Sequence, residues 1–297
     1  MKNEVYVSLS SAIADHCGRD VTITKKTPVS GGDINEAYAL LLSDGTKVFM
    51  KANRKENLDF FRAEREGLEA IRSTGTITTP RILCCGTDDD KAFLLMEFAE
   101  SKRRNEGFFR RLGQRLAAMH QADAGRFVNG GKYGFLRDNY IGSGAQKNEP
   151  RDSWILFFRE CRLMPQFARA ERYFSESDHA RIERLLTNLP NLLIEPKQPS
   201  LLHGDLWGGN TMAGSDGEAW LIDPAAYVGC HEADLAMTEL FGGFPQEFYT
   251  AYSERLPLQP GYADRRDLYN LYHLLNHLNL FGAGYLSSVL GILRKYG

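Results

Sequence analysis

Asp205, Asn210 and Asp223 are the residues of this chain whose types and spacing point most directly to chemistry. They lie in His203-Gly204-Asp205-Leu206-Trp207-Gly208-Gly209-Asn210 and in Leu221-Ile222-Asp223-Pro224. Each aspartate closes a short apolar run read as a strand, SLLHGD and EAWLID, so three oxygen donors are expected at one edge of a hairpin. That set suits phosphoryl transfer. Magnesium prefers hard oxygen ligands, so Asn210 and Asp223 could hold it against a triphosphate while Asp205 accepts the proton of an attacking hydroxyl. Gly208 and Gly209 would let the loop turn tightly enough to aim Asn210 at the metal. Singly, H-G-D and D-P are common turn and helix-start sequences. The chemical reading comes from their order, the D-x-x-x-x-N spacing and the strand before each aspartate.

The elements that must position these residues divide the chain in two. Residues 21–98 read as strand-rich: VTITKKTPVS, EAYALLLS and TKVFMKA, the last two flanking Asp44-Gly45, a strong hairpin signal. NLDFFRAEREGLEAIRS follows as a helix, with Phe61, Leu68 and Ile71 at helical spacing, and then PRILCCG and KAFLLMEF as two further strands. About five antiparallel strands with one inserted helix are expected. From about residue 100 the period changes to 3.6, in EGFFRRLGQRLAAMHQ, SWILFFRECRLMPQFARAERYF and DHARIERLLTNLPNLL. WGGNTMAGSDG reads as too glycine-rich for regular structure. ADLAMTELF, PQEFYTAYSERL and YADRRDLYNLYHLLNHLNLF return to helix, with Pro257 and Pro260 breaking the last two apart. The expected architecture is α+β: a small sheet lobe over residues 1–98 and a larger helical lobe over 99–297, hinged near Met96 to Glu100.

Bulk properties narrow the function. A formal charge of −2 offers no basic excess for nucleic acid or an anionic membrane. No run of about 18 apolar residues is present, and the amino terminus lacks the pattern of a secretory signal, so a cytoplasmic location is expected. The five cysteines form no C-x-x-C pair and no zinc-like cluster, and read as reduced, buried small hydrophobes. No heptad run is visible, so a monomer is expected.

The catalytic segment resembles the catalytic loop and metal-binding aspartate of the protein-kinase-like superfamily. Its H-G-D and I-D forms are similar to the small-molecule branch, the aminoglycoside and choline phosphotransferases, rather than to the H-R-D and D-F-G of protein kinases. More narrowly, HGDLWGGN, IDPA and HEADLAMTELFGGF resemble the fructosamine kinase (ketosamine-3-kinase) family, as do VSGGDIN, YGFLRDNYIG and WILFFRECRL. These matches run in order from about residue 28 to 245. After about Phe244 the likeness is one of character only, so acceptor-pocket residues there are not carried over.

The resemblance implies a protein-kinase-like two-lobe fold, ATP and Mg2+ as cofactors, and a nucleotide grip in the first lobe. Gly31 and Gly32 would lie over the phosphates, Lys51 would bind them, and Glu64 would pair with Lys51, Glu66 being the competing partner. Met96, Glu97 and Phe98 fall where adenine meets the hinge. Trp207 follows the catalytic Asp-Leu pair and could stack on a sugar or amine substituent. Asp33 could reach the acceptor. His203 is placed beside the acceptor site but reads as a brace for the loop more than as a base. His231, Glu232 and Asp234 open a helix, where acids suit the helix dipole. The implied acceptor is a ketosamine, phosphorylated on the sugar 3-hydroxyl, in repair or metabolism of glycated amines. Aminoglycoside and choline kinases are the alternatives within the fold. GAGYLSSVLGILRKYG, without a single acid, argues against a polycationic antibiotic, whereas the aromatics of YADRRDLYNLYHLL could contribute to a choline cage. A kinase-like binding module without catalysis is the alternative of another class, although Lys51, Asp205, Asn210 and Asp223 are all present.

Overall fold

A computed structural model describes residues 5–29, 35–214 and 217–297. The amino-terminal part contains β1 (Val5–Tyr6), α1 (Leu9–Cys17), β2 (Ile23–Pro28), β3 (Glu36–Leu42), β4 (Lys47–Arg54), α2 (Leu58–Ser73), β5 (Ile82–Asp88) and β6 (Lys91–Glu97). The strands form one sheet in the order β1-β5-β6-β4-β3-β2. The expected hairpin at Asp44-Gly45 joins β3 to β4; Gly45 takes φ 86°, and Asp44 accepts from the Thr46 N–H at 2.8 Å. The sheet differs from the expected antiparallel one at its edge, where β1 runs parallel to β5. Two residues cannot show alternation, so β1 is set by a partner about 80 positions away and not by local pattern.

Alternation along β4 separates two faces. Val48, Met50 and Ala52 join Ala12 and Ile13 of α1 in one small core. On the other face, Phe49 packs with Phe61 of α2 and with Leu94 and Met96 of β6. Lys51 belongs to that second face. Phe61, Leu68 and Ile71, the three apolar positions read at helical spacing, are all buried. The strong amphipathic stripe of α2 therefore decides which face of the sheet receives it.

The second part comprises α3 (Phe108–Gln121), β7 (Asn139–Ile141), β8 (Gly144–Gln146), α4 (Trp154–Phe157), α5 (Met164–Arg169), α6 (Glu176–Leu192), β9 (Ser200–Leu202), β10 (Thr211–Ala213), β11 (Ala219–Leu221), β12 (Tyr227–Gly229), α7 (His231–Leu240), α8 (Gln246–Arg255), α9 (Tyr262–Phe281) and α10 (Leu286–Tyr296). Between α4 and α5 the chain continues as a π-helix over Phe158–Leu163. Pro165 supplies no N–H to this turn. The Cys161 carbonyl is instead satisfied by Arg162 Nη1 at 3.0 Å. Trp154, Phe157, Phe158, Tyr227 and Tyr269 are among the largest buried side chains of the main core, each contributing roughly 1.5–3 kcal/mol by its burial.

Two expectations are corrected here. The strands before the two aspartates do not pair with each other: β9 pairs with β12, and β11 pairs with β10. WGGNTMAGSDG is also not wholly irregular, because Thr211–Ala213 is that β10 strand. Each aspartate-bearing segment thus leaves a different two-stranded ribbon, and the two are joined by the Ile222 N–H to Asn210 carbonyl bond and the Ala225 N–H to His203 carbonyl bond. The thiols are free, with Cys84, Cys85, Cys161 and Cys230 buried and Cys17 half-buried; burial pushes the Cys84 and Cys230 pKa values up to about 12. Among the described residues, no helix is long and apolar enough to cross a membrane.

Candidate active site

The H-G-D segment follows β9 directly. Gly204 has φ 81°, and a Cβ there would lie 2.1 Å from the Ala225 carbonyl oxygen, so only glycine fits this turn. Its neighbours are held by the start of α7. Asp234 accepts from the His203 N–H at 2.7 Å through Oδ2 and from the Gly204 N–H at 2.8 Å through Oδ1. Behind it, His120 Nε2 donates to Asp234 Oδ2 at 3.1 Å, and Tyr252 Oη donates to His120 Nδ1 at 2.7 Å. Burial works against the Asp234 charge, but His120 and the Gly204 N–H hold its pKa below the ordinary value. This line of buried groups fixes the loop from beneath.

His203 is fully buried, and both its ring nitrogens are engaged. Nε2 donates to the Ile222 carbonyl at 2.9 Å, while Nδ1 accepts from the Asp205 N–H at 3.3 Å. Burial lowers its pKa and keeps it neutral. The placement of His203 beside the acceptor is therefore corrected: no nitrogen is left for a substrate, and the ring ties the H-G-D loop to the strand ending at Asp223. The Ala225 N–H to His203 carbonyl bond, 2.9 Å, makes the same link a second time.

Asn210 closes the triangle. Its Nδ2 donates to the Asp205 carbonyl at 2.8 Å and to Asp205 Oδ2 at 3.2 Å, while its own carbonyl accepts from the Ile222 N–H at 3.1 Å. The amide nitrogen does the donating, so the amide oxygen is the atom suited to a cation. The role expected of Gly208 and Gly209 changes. Gly208–Asn210 is a 3-10 turn in which neither glycine has positive φ, and a Cβ at Gly209 would lie 2.4 Å from the Trp207 ring. Gly209 is thus needed for space beside the indole. Trp207 itself is 41% exposed and open to the solvent side of the loop.

Asp223 has φ 55°, uncommon for a residue with a side chain, and this turns its carboxylate towards the first lobe. There it pairs with Lys51, which also donates to Glu64 Oε1 at 2.7 Å. Glu66, the competing partner in sequence, instead accepts from Arg137 Nε at 2.6 Å. Burial opposes the Lys51 charge, yet the Asp223 and Glu64 carboxylates outweigh it and hold the ammonium pKa above its ordinary value. Burial likewise raises the Glu64 pKa. Asp205 has its pKa pushed up to about 7, chiefly by burial, with Asn210 opposing and Asp223 and Asp234 adding to the rise. A carboxyl group so tuned can accept a proton near neutral pH.

The hinge residues behave less uniformly. Met96 is buried in the sheet, and the Glu97 N–H is bonded to the Arg81 carbonyl at 2.9 Å, which withdraws that amide from any nucleotide. The Phe98 ring centroid lies 6.5 Å from that of Phe49. Phe49 shares the face of Lys51 and was not singled out from sequence; its i, i−2 spacing from Lys51 in a strand is the signal that could have found it. Asp234 and His120 were missed as loop braces, since nothing local links them to H-G-D. Gly31, Gly32 and Asp33 lie outside the described residues.

Magnesium sites in phosphoryl-transfer enzymes draw on one or two protein carboxylates or amides and on substrate phosphates, not on a full protein cage. The donor set fits that description. Asn210 and Asp223 are neighbours, the Asn210 Nδ2 donating to the Asp223 main-chain carbonyl at 3.5 Å, and among the described residues there is no group of three or more His, Cys, Asp or Glu that could hold a metal by themselves.

Comparison with known proteins agrees with this geometry. A family model described as fructosamine kinase matches residues 5–296 and so extends the likeness beyond Phe244, after which the sequence motifs match in character only. A Synechocystis protein named as a probable ketoamine kinase is 41% identical over 290 residues, 97% of this chain and 95% of its own. The chloroplastic protein-ribulosamine 3-kinase of Arabidopsis thaliana is 40% identical over 94% of this chain and 84% of its own. A solved structure from Haemophilus somnus, named for a provisional fructosamine-3-kinase assignment, has a TM-score of 0.86 at 28% identity, covering 97% of this chain and 96% of that one. An aminoglycoside phosphotransferase structure, 15% identical with a TM-score of 0.63, shares the protein-kinase-like fold alone.

Proposed function

This chain belongs to the fructosamine kinase family, and from that premise we propose that it transfers the γ-phosphoryl group of ATP to the 3-hydroxyl of a ketosamine, a fructosamine or ribulosamine. The observation that carries the reading is that Lys51 of the first lobe pairs with both Glu64 and Asp223, while Asn210 joins Asp205 to Asp223, its Nδ2 donating to Asp205 Oδ2 at 3.2 Å and to the Asp223 main-chain carbonyl at 3.5 Å. Lys51, steadied by Glu64, binds the nucleotide phosphates, and Phe49 and Phe98 offer apolar rings to the adenine side. Asn210 and Asp223 would hold magnesium, which would supply positive charge to offset that of the nucleotide phosphates. Asp205 orients the acceptor hydroxyl and takes its proton, and Trp207 presents an exposed ring to the sugar or its amine substituent. Residues 1–98 form the nucleotide lobe and 99–297 the acceptor lobe, in a cytoplasmic monomer.

The test is ADP release with magnesium and ATP in the presence of a fructosamine, a ribulosamine, choline, kanamycin or no acceptor. Turnover with a ketosamine and not with choline or kanamycin is expected. Turnover with choline or kanamycin instead would overturn the acceptor, and absence of magnesium-dependent thermal stabilisation by ATP would overturn the kinase reading itself.

A further inference from the structure

The YGFLRDNYIG segment has no part in the chemistry so far, yet its arginine sits against the helix that carries Glu64. Arg137 Nε donates to Glu66 Oε2 at 2.6 Å, and its Nη1 donates to Asp59 Oδ1 at 2.8 Å. Both acids are on α2, seven positions apart, hence on one face two turns from each other. Three residues on, Tyr140 Oη donates to the second oxygen of Asp59 at 3.2 Å, and its ring meets Phe60 edge-on at 4.1 Å. The β7–β8 hairpin therefore grips the first two turns of α2 on the side away from Lys51.

The other side of the hairpin is anchored to the segment that follows Asp223. Asn148 Nδ2 donates to the Arg137 carbonyl at 3.1 Å and to Asn139 Oδ1 at 2.8 Å. Asn139 Nδ2 donates to the Ala226 carbonyl at 2.7 Å, and Gln146 Nε2 to the Ala225 carbonyl at 3.0 Å. Arg162, fully buried and stacked on the Tyr227 ring at 3.9 Å, donates to Asn148 Oδ1 at 2.8 Å. Every amide in this chain of contacts is buried, so each bond is costly to leave unmade and the hairpin has one position. On the near side, α2 rests directly on the same segment: a Cβ at Gly67 would lie 3.1 Å from Pro224 Cγ. The Glu64 helix is thus tied to the Asp223 segment at two places, by contact at Gly67 and through Arg137.

We propose that Arg137 is a positioning residue for phosphoryl transfer, clamping α2 through Asp59 and Glu66 so that Glu64 holds Lys51 in line with Asp223. The inference rests on the reading of Lys51 and Glu64 as the nucleotide grip. It assigns to the hairpin a task separate from acceptor binding: loss of the clamp acts on ATP and on turnover, and leaves the acceptor alone.

The test compares wild type, Arg137→Ala and Arg137→Lys in steady-state kinetics with a fructosamine, and in Mg-ATP titration without acceptor. Arg137→Ala is expected to raise the KM for ATP roughly tenfold and to lower kcat, with the KM for the acceptor unchanged. Arg137→Lys should recover part of the loss, because one ammonium can meet one of the two carboxylates. In a Lys51→Met background the same Arg137→Ala change should cost about twofold or less, since its effect passes through Lys51. Full additivity in that background, or an unchanged KM for ATP, would overturn the clamp. If no ketosamine is turned over by wild type, the function fails by itself, while equal Mg-ATP affinity in wild type and Arg137→Ala still overturns the clamp. Should Arg137→Ala fail to fold, Asp59→Asn removes one arm only and must shift ATP affinity in the same direction by a smaller factor.

Discussion

The two halves of the site are held by different physics. The catalytic loop is fixed by buried hydrogen bonds, running from Tyr252 through His120 and Asp234 to the His203 and Gly204 amides, and by the His203 ring to Ile222. The nucleotide side is held by charge: Lys51 between Glu64 and Asp223, and Arg137 between Asp59 and Glu66. The Asp223 side chain is 41% exposed and that of Asp59 42%, whereas Asp234 is 1% exposed. Lys51 and Glu64 are each only 12% exposed, so it is the Asp223 end of the grip, open to water, that can exchange its partner for a phosphate or a metal. Buried, fully engaged hydrogen bonds cannot. The difference would suit the proposed function, in which a base is pre-aimed while the nucleotide grip releases ADP after each turnover.

The largest effect should come from the aimed half. Asp205→Asn keeps the shape and the Asn210 contact but removes the proton acceptor, so turnover should fall roughly a hundredfold or more while ATP affinity stays near that of wild type. Near-normal turnover would remove Asp205 from the chemistry. Next is the brace. Asp234→Ala strands two buried amides and one buried imidazole, and should cost about 3–5 kcal/mol of stability, read as a lowered midpoint in urea. If stability were unchanged, the loop would owe its shape to the Gly204 turn alone. Lys51→Met tests the charged half. It should raise the KM for ATP and lower turnover by roughly tenfold, with a smaller stability change than Asp234→Ala. A larger stability loss in Lys51→Met than in Asp234→Ala would reverse the contrast between the halves.

The same contrast explains what the sequence reveals. H-G-D, the asparagine five positions on and I-D-P are legible because each depends on local backbone geometry, and α2 is legible because its stripe is strong. Glu64 could be preferred over Glu66 only through family likeness; the structure adds the reason, since Arg137 occupies Glu66. What could not be read depends on partners distant in the chain. Asp234 lies 31 residues from His203 and His120 lies 114 from Asp234, with no periodicity connecting them. The exchange of strand partners, β9 with β12 and β10 with β11, has the same origin, because three-residue strands carry too little pattern to choose a mate. His203 is legible as a brace for the loop, but only its burial shows that both nitrogens are spent and none is left for an acceptor.

The most gradual effect is one of pH, and it again belongs to the buried half. His273 lies on α9, fully enclosed, with its pKa pressed down to about 3 by burial and by His277. An unfolded histidine titrates near 6.5. Below that value the unfolded chain binds a proton that the fold refuses, so the His273 contribution is fully present above about pH 6.5 and is lost as pH falls towards 3. The slope is at most about 1.4 kcal/mol per pH unit. Asp205, with its pKa raised to about 7, titrates in the same window with the opposite sign: its carboxyl is neutral in the fold at a pH where the unfolded chain would carry the charge. Total stability against pH would therefore blur the two, and a difference measurement is needed. His273→Leu should gain on wild type progressively between pH 6.5 and 4.5, in paired urea titrations, and show a constant offset above pH 7. A flat difference throughout would mean that water reaches the His273 ring, and that the buried half is less closed than its hydrogen bonds imply.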